Sequence, residues 1–473
     1  MKGLVKLAPL LTTLAAGLTG GALAQTAAAA PKVTLETVNT AVSGAQNSAD
    51  TAWMIVATAL VMLMTPGLAF FYGGLSRGKA VLNTMMMSFV ALGVVAIVWV
   101  VAGYTIAFGS GGNAFIGGFG NLFLNGITPS SMTGTIPTYL YMLFQMMFAV
   151  ITPALISGAL LDRMKFGAYV AFIALWSLLV YAPLAHMVWS SDGIFFKAGA
   201  LDFAGGTVVH MSSGVSALVA ALMLGARSKA TRRSAIPHNI PFVLLGAALL
   251  WFGWYGFNAG SALAASGISV LAFATTTLAP AAAMLAWMAW EMIRGQKPSA
   301  VGAATGAVVG LVAITPACGY VSPMSAILIG IIGASVSFWV VQAKHRIAAD
   351  DSLDVFACHG VGGTVGAILT GIFAQKAFNP AYSGGVDGNW NQLIIQLEAI
   401  GSTIVLAAVG TAVIMFIVKA IFGLRVTPQE ESLGADLSAH AEEGYTNGDF
   451  GYAGSGKVGS IDSPVILSAN AND

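Results

Sequence analysis

Two of the chain's six histidines sit where a polar ring is expensive. His210 lies inside LDFAGGTVVHMSSGVSALVAALMLG (201–225) and His359 inside LDVFACHGVGGTVGAILTGIFA (353–374), both otherwise apolar. A neutral imidazole carries one donor and one acceptor nitrogen, and its ordinary pKa of about 6.5 lies near neutrality. A pair of such rings can hydrogen-bond a small polar molecule and relay a proton. Either histidine alone reads equally well as a packed core residue bonded to a neighbour. Two at matching places weaken that reading.

The carboxylates Asp202 and Asp354 each follow a leucine just before a helical run. There a carboxylate accepts bonds from free backbone N–H groups and favours the helix dipole. N-capping is the direct role expected of both. A fixed negative charge at Asp202 also lowers the energy of an arriving cation. Gly214 and Gly363 each stand four residues beyond a histidine, which lets helices approach closely.

The elements that must position these residues are set by composition. Of 473 residues, 57% are hydrophobic and only 8% charged, against roughly 25% charged in soluble domains. The chain reads as an all-α polytopic membrane protein. Counting apolar windows of roughly 20 residues gives about eleven spans: 51–71, 84–108, 138–161, 166–188, 203–225, 240–260, 269–293, 299–316, 323–343, 358–374 and 392–422. Basic residues collect in alternate loops, from Arg77 and Lys79 through Arg163, Lys165, Arg227, Arg232 and Arg294 to Arg425, whereas the opposite loops hold Lys197 and Lys376. That asymmetry predicts an outside N-terminus and a cytoplasmic C-terminus. The histidine segments are the fifth and tenth spans, which predicts an inverted repeat of five helices plus five, meeting at the bilayer midplane, with an eleventh helix as a brace.

The flanks are expected to be a cleavable signal at 1–24, ending Ala22-Leu23-Ala24, a segment at 25–50 outside the membrane, the membrane domain at 51–424 and a cytoplasmic tail at 425–473, its distal part disordered. The alternative for the first run is a further transmembrane helix. The net charge of +1 points to no nucleic-acid partner, and Cys318 and Cys358 suggest no disulfide framework. The residues supply no nucleophile–base set and no cofactor motif.

The segments TPGLAFFYGGLSRGK, AHMVW, LDFAGGTVVH, GWYGFNAGSA, TPACGY and DVFACHGVGG, in that order, closely resemble bacterial ammonium transporters of the Amt/MEP/Rh superfamily. The resemblance runs from about Asp50 to Tyr445. It implies a homotrimer with one pore per subunit in a bacterial inner membrane, taking up ammonium. By the resemblance, Phe148, Trp189 and Ser261 form an outer recruitment site, Phe148 and Phe257 a phenyl gate, and His210 and His359 the twin histidines of the pore. Asp202 is then the carboxylate of deprotonation and site architecture, Trp254 a pore-lining ring, and Asp354 the repeat-related structural carboxylate. Expected partners are ammonium or ammonia, with methylammonium a further candidate, membrane lipid, and a PII-type signalling protein on the cytoplasmic face; no cofactor or metal is implied. The stretch GLRVTPQEESLGADLSAHAEEGY resembles the family's regulatory tail, departing from it at Ala435 and Ala441.

Those residue types suit the chemistry. Aromatic faces and a hydroxyl bind ammonium by cation–π attraction and a directed hydrogen bond. An apolar corridor penalises the ion far more than neutral ammonia. Potassium has no proton to surrender and is refused. The competing readings are a passive channel for ammonia or another small gas, an ammonium sensor, and a transition-metal transporter using His210, His359 and Cys358.

Overall fold

A computed structural model describes residues 34–344 and 349–445. The expected signal at 1–24 and the distal tail after 445 lie outside the described residues. The chain divides into two units, Met1–Ala45 and Gln46–Asp473. Residues 35–45 of the first are helical, and the second carries the membrane-spanning bundle.

Among the described residues, ten helices are long and apolar enough to cross a membrane: α1 (Leu35–Leu75), α2 (Gly78–Phe108), α3 (Thr138–Ala159), α4 (Phe166–Ala198), α5 (Gly206–Leu224), α6 (Ile240–Gly260), α7 (Gly267–Ile293), α9 (Pro323–Ala343), α10 (Phe356–Phe373) and α11 (Asn391–Phe422). Between α7 and α9 lies the shorter apolar α8 (Ala300–Ile314). The tail adds α12 (Pro428–Leu433) and α13 (Ala435–His440). The chain is a multi-pass membrane protein.

Helix α4 as bounded takes in a break at 190–193 and a short helix, Ile194–Ala198, beyond the expected end at 188, and two further elements differ from their expected extents. Helix α1 begins at Leu35, sixteen residues before the expected 51 (51 − 35 = 16), so residues 35–50 are helical. No proline interrupts that stretch, and Gly44 alone weakens it. Helix α8 has 15 residues in place of the full span expected over 299–316, which at 1.5 Å per residue is about 22 Å, short of a hydrocarbon core of about 30 Å. The Ser299 side chain caps its start by accepting the Gly302 N–H at 2.8 Å, and Pro316 follows its end. Residues 306–321 are all buried, so protein rather than lipid surrounds the missing length.

The starts of the other helices are also written locally. Asn239 caps α6, Ser266 caps α7 in a box with Ser269, and Ser322 caps α9 ahead of Pro323. With no hydrophobic drive between helices in lipid, close packing and hydrogen bonds hold the bundle. Gly246 of α6 shows the closeness: a Cβ there would stand 2.2 Å from the Phe71 nitrogen of α1. Four helices contain a wider π-helical turn, at Trp99–Gly103, Ser177–Tyr181, Gly206–Met211 and Phe356–Val361. The last two begin α5 and α10 and carry His210 and His359.

The histidine helices cross at glycine in a reciprocal way. A Cβ on Gly214 would lie 2.0 Å from the nitrogen of Gly360, and one on Gly363 would lie 3.1 Å from the nitrogen of Met211. Each glycine stands four residues past its own histidine and meets the residue one past the other.

Candidate functional site

The site starts from the turn that begins α5. Gly205 takes φ +112, and the Asp202 carboxylate folds back over the turn after it. Its Oδ1 accepts the N–H groups of Gly205 and Gly206 at 2.8 and 2.6 Å. Its Oδ2 accepts those of Thr207 and Val208 at 2.8 and 3.2 Å, together with the Thr207 hydroxyl. Five donors meet a group offering about four lone-pair sites. The carboxylate is thereby fixed to the backbone, with no acceptor capacity left over. The Trp189 indole N–H donates to the Asp202 carbonyl at 2.9 Å, so the same turn orients that ring.

From Trp189 a column of rings runs inward. The edge of one ring meets the face of the other between Trp189 and Phe148, with centroids 5.9 Å apart at 89°. Phe148 stacks on Phe257 at 4.1 Å and 24°. Phe257 stacks on His210 at 5.8 Å, and Trp254 stacks on the same imidazole at 5.2 Å. The Trp254 N–H is taken by Thr315 Oγ1 at 2.9 Å, which leaves that indole presenting an apolar face. Ser261 donates its hydroxyl hydrogen to the Phe257 carbonyl at 2.8 Å, leaving its oxygen as an acceptor.

His210 and His359 meet through their Nδ1 atoms, 3.3 Å apart. Two neutral imidazoles in that contact must hold opposite tautomers. The ring that donates at Nδ1 has an accepting Nε2; the other ring carries its hydrogen on Nε2. The pair therefore always offers one donor and one acceptor outward. His210 Nε2 is buried with no hydrogen-bond partner among the described residues.

Three cavities lie in series along this column. A vestibule of about 530 Å³ is lined by Phe148, Trp189, Asp202 and Ser261. A lumen of about 10 Å³ holds Phe257, Trp254, His210 and His359 among aliphatic side chains; the smallest space that accepts one water is about 10–15 Å³. A second vestibule of about 310 Å³ reaches His359 from the other end, with Cys358, Asp354 and Glu291 in its wall.

The expected recruitment, gate, histidine and pore residues thus gather on one path. Asp354 does not occupy the place expected for it. It takes φ +59 and pairs with Lys344 at 2.7 Å. The residue that caps α10 is Asp351, which accepts the N–H groups of Val355 at 3.1 Å and Phe356 at 2.7 Å. A signal for it was present: Asp351 precedes His359 by eight residues (359 − 351), as Asp202 precedes His210 (210 − 202). Matching the Leu-Asp pairs instead of the spacing hides it. Burial raises the Asp351 pKa to about 6, with the neighbouring Asp354 charge adding to the effect. Burial likewise raises Asp354, against the pull of Lys344.

The tail closes around this second end. Arg77 and Arg227 share Asp162, at 2.6 and 3.3 Å, and Arg227 also grips Asp350 at 2.8 Å. Burial alone would raise Asp350, but the Arg227 guanidinium outweighs it and holds the pKa at about 2. Glu431 of α12 accepts from Arg425 and from the Ser228 N–H, while Asp436 of α13 accepts the Asn83 N–H. Arg163 donates to the Gly225 carbonyl at 2.8 Å and to the Asp350 carbonyl at 2.5 Å; its pKa is lowered by burial to about 10. The basic loops are legible in the sequence, but these partners are not, lying up to 353 residues apart.

A sequence profile of the Ammonium Transporter Family matches residues 52–445. A Bacillus subtilis (strain 168) protein named ammonium transporter is 49% identical over 400 residues, covering 84% of this chain and 98% of the relative. An ammonium transporter of Aquifex aeolicus (strain VF5) is 48% identical over 402 residues, covering 84% and 94%. The crystal structure of Saccharomyces cerevisiae Mep2 matches with a TM-score of 0.75 at 36% identity, over 80% of this chain and 87% of that one. A solved structure described as a sensor Amt protein matches with a TM-score of 0.77 at 29% identity, over 84% and 99%. Both sequence relatives are transporters by name, not enzymes.

Proposed function

This chain belongs to the ammonium transporter family, and on that footing we propose that it moves ammonium across a membrane by separating the ion into ammonia and a proton. The observation that carries the reading is the unbroken order of vestibule, stacked Phe148 and Phe257, and twin histidines. Trp189, Phe148 and the accepting oxygen of Ser261 recruit the cation by ring-face attraction and one hydrogen bond. Asp202 contributes its field and the shape of the turn. Its oxygens are taken, which assigns proton acceptance to the imidazoles.

Protons and charge balance along the relay. With His210 in the tautomer bearing Nδ1–H, its Nε2 takes the proton from ammonium and frees ammonia. The Nδ1 proton passes to His359 Nδ1, and the hydrogen on His359 Nε2 leaves toward the second vestibule. Ammonia crosses the narrow lumen, where an ion would lose its hydration, and is protonated again in water beyond. Both rings end in the opposite tautomer and must return before the next turnover.

The same reading gives a homotrimer in a bacterial inner membrane, with the aromatic vestibule and N-terminus outside. The basic residues around the tail support that orientation. The docked helices α12 and α13 form the face where a PII-type protein binds.

The test is the current in proteoliposomes after an ammonium jump, with potassium as the comparison. Ammonium current without potassium current is expected. H210A and H359A should each lower the ammonium current by at least about 100-fold, the lower end of the range for loss of one acid–base group. Ammonia flux without current would replace this reading with that of a passive gas channel.

A further inference from the structure

Helix α11 is the span left over once two sets of five are paired, and it is strongly apolar. A buried amide in such a helix is expensive unless every polar atom is satisfied. Gln396, 2% exposed, satisfies all of its own on the two histidine-bearing regions and on one neighbour. Its Oε1 accepts the Leu201 N–H at 2.7 Å, and its Nε2 donates to the Leu201 carbonyl at 2.8 Å. The second amide hydrogen goes to the Ala367 carbonyl at 3.1 Å. Gln392, one turn earlier, donates to Gln396 Oε1 at 3.3 Å and to the Gly199 carbonyl at 2.9 Å.

The geometry points to Gln396 as a positioning residue that registers the two halves of the pore against each other. Binding both the N–H and the C=O of one residue copies what an adjacent strand does, and it fixes that residue's backbone in two directions. The residue is Leu201, which leads directly into Asp202 and the turn that carries His210. Ala367 lies on α10, eight residues beyond His359 (367 − 359). One side chain outside the repeat thus holds the entry to one histidine helix against the middle of the other. The 3.3 Å contact between the rings then depends on that register together with the glycine crossing and the Trp254 and Phe257 faces against His210.

A second clasp on α11 provides the control. Thr411 donates to Ser216 on α5 at 2.7 Å and accepts the Trp176 indole N–H at 3.1 Å. It holds α11 to the first half, and neither bond goes to Leu201 or α10.

The inference rests on the pore reading above and is tested with the full-length chain in liposomes. Q396L, Q396E and T411V are compared with wild type per folded protein, over a range of ammonium concentrations. Q396L should lower the maximal current by at least about tenfold, since small misplacements of reacting groups carry losses of up to about 100-fold. The half-saturating concentration should move much less. Q396E is nearly isosteric; as a carboxylate it keeps the acceptor for Leu201 N–H but loses both donations, and it should fall between. T411V should stay within about twofold of wild type even if it melts earlier. A Q396L maximum no lower than that of T411V would overturn the proposal, as would a loss confined to the half-saturating concentration. Should Q396L fail to assemble, Q396E against T411V decides by the same criterion. If wild type carries ammonia without current, the proton relay falls, and internal alkalinisation by ammonia replaces current as the readout for the same variants.

Discussion

The two histidine regions are built alike and surrounded differently. Each begins with an aspartate eight residues before its histidine, enters a π-helical turn, and crosses the other at a glycine four residues past the ring. In the first, the carboxylate receives five donors and the imidazole is flanked by Trp254 and Phe257. In the second, Asp351 receives two N–H donors, lies beside Asp354, and its histidine opens onto the vestibule at the tail end. The shared backbone device brings the rings together. The neighbours make the two ends different, one walled by aromatic rings and the other open to a cavity beside Asp354 and Glu291.

The sharpest way to break this comparison is to neutralise the two caps. D202N puts an amide NH₂ where backbone N–H groups point and opposes donor to donor. Its ammonium current should drop by about 100-fold, in line with losses from misplaced reacting groups. D351N has two N–H bonds to rearrange, one of which its remaining carbonyl oxygen can keep, and should lose about tenfold or less. Equal losses in the same proteoliposome assay would mean that the capping asymmetry has no functional weight.

A smaller effect separates the two glycine crossings. A methyl at Gly214 meets the Gly360 backbone at 2.0 Å, whereas one at Gly363 meets the Gly206 carbonyl oxygen at 2.8 Å. Both require backbone movement, and overpacking of this kind typically costs about 1–3 kcal/mol. G214A should therefore melt earlier than G363A in detergent. The reverse order would place the tighter crossing on the other helix.

The smallest expected effect is one of pH. Asp351 is raised from 3.8 to about 6 in the folded chain. Between those values the unfolded chain has released the proton and the folded one retains it, so rising pH lowers stability across that window and has no further effect above it. Measured against D351N, the wild-type melting temperature should decline from pH 4 to pH 6 and then level. A flat difference across that interval would show that Asp351 is no more buried than an ordinary carboxylate.

Much of this was legible in the sequence where the cause is local. Apolar windows predict helices because lipid leaves no partner for an unpaired peptide group, and the caps at Ser266, Ser299 and Thr427 are satisfied within three residues. The two histidines stand out in the sequence because a polar ring in an apolar run is costly without a partner or a role. The residues proposed for recruitment and the gate are legible only through the family resemblance: Phe148 and Phe257 are 109 positions apart (257 − 148), and nothing in either segment announces the other.

What the sequence determined by itself was the class of molecule, most of its spans to within a few residues, and the matched pair of histidine segments, since hydropathy and spacing are properties of a line. Only the tertiary structure decided that Asp351 and not Asp354 mirrors Asp202, that α8 runs short inside a protein sheath, and that Gln396 reaches both halves. Those outcomes depend on which backbone groups remain free once helices have packed. Packing at 2–3 Å is fixed by distant parts of the chain meeting in space, which spacing along the chain does not record.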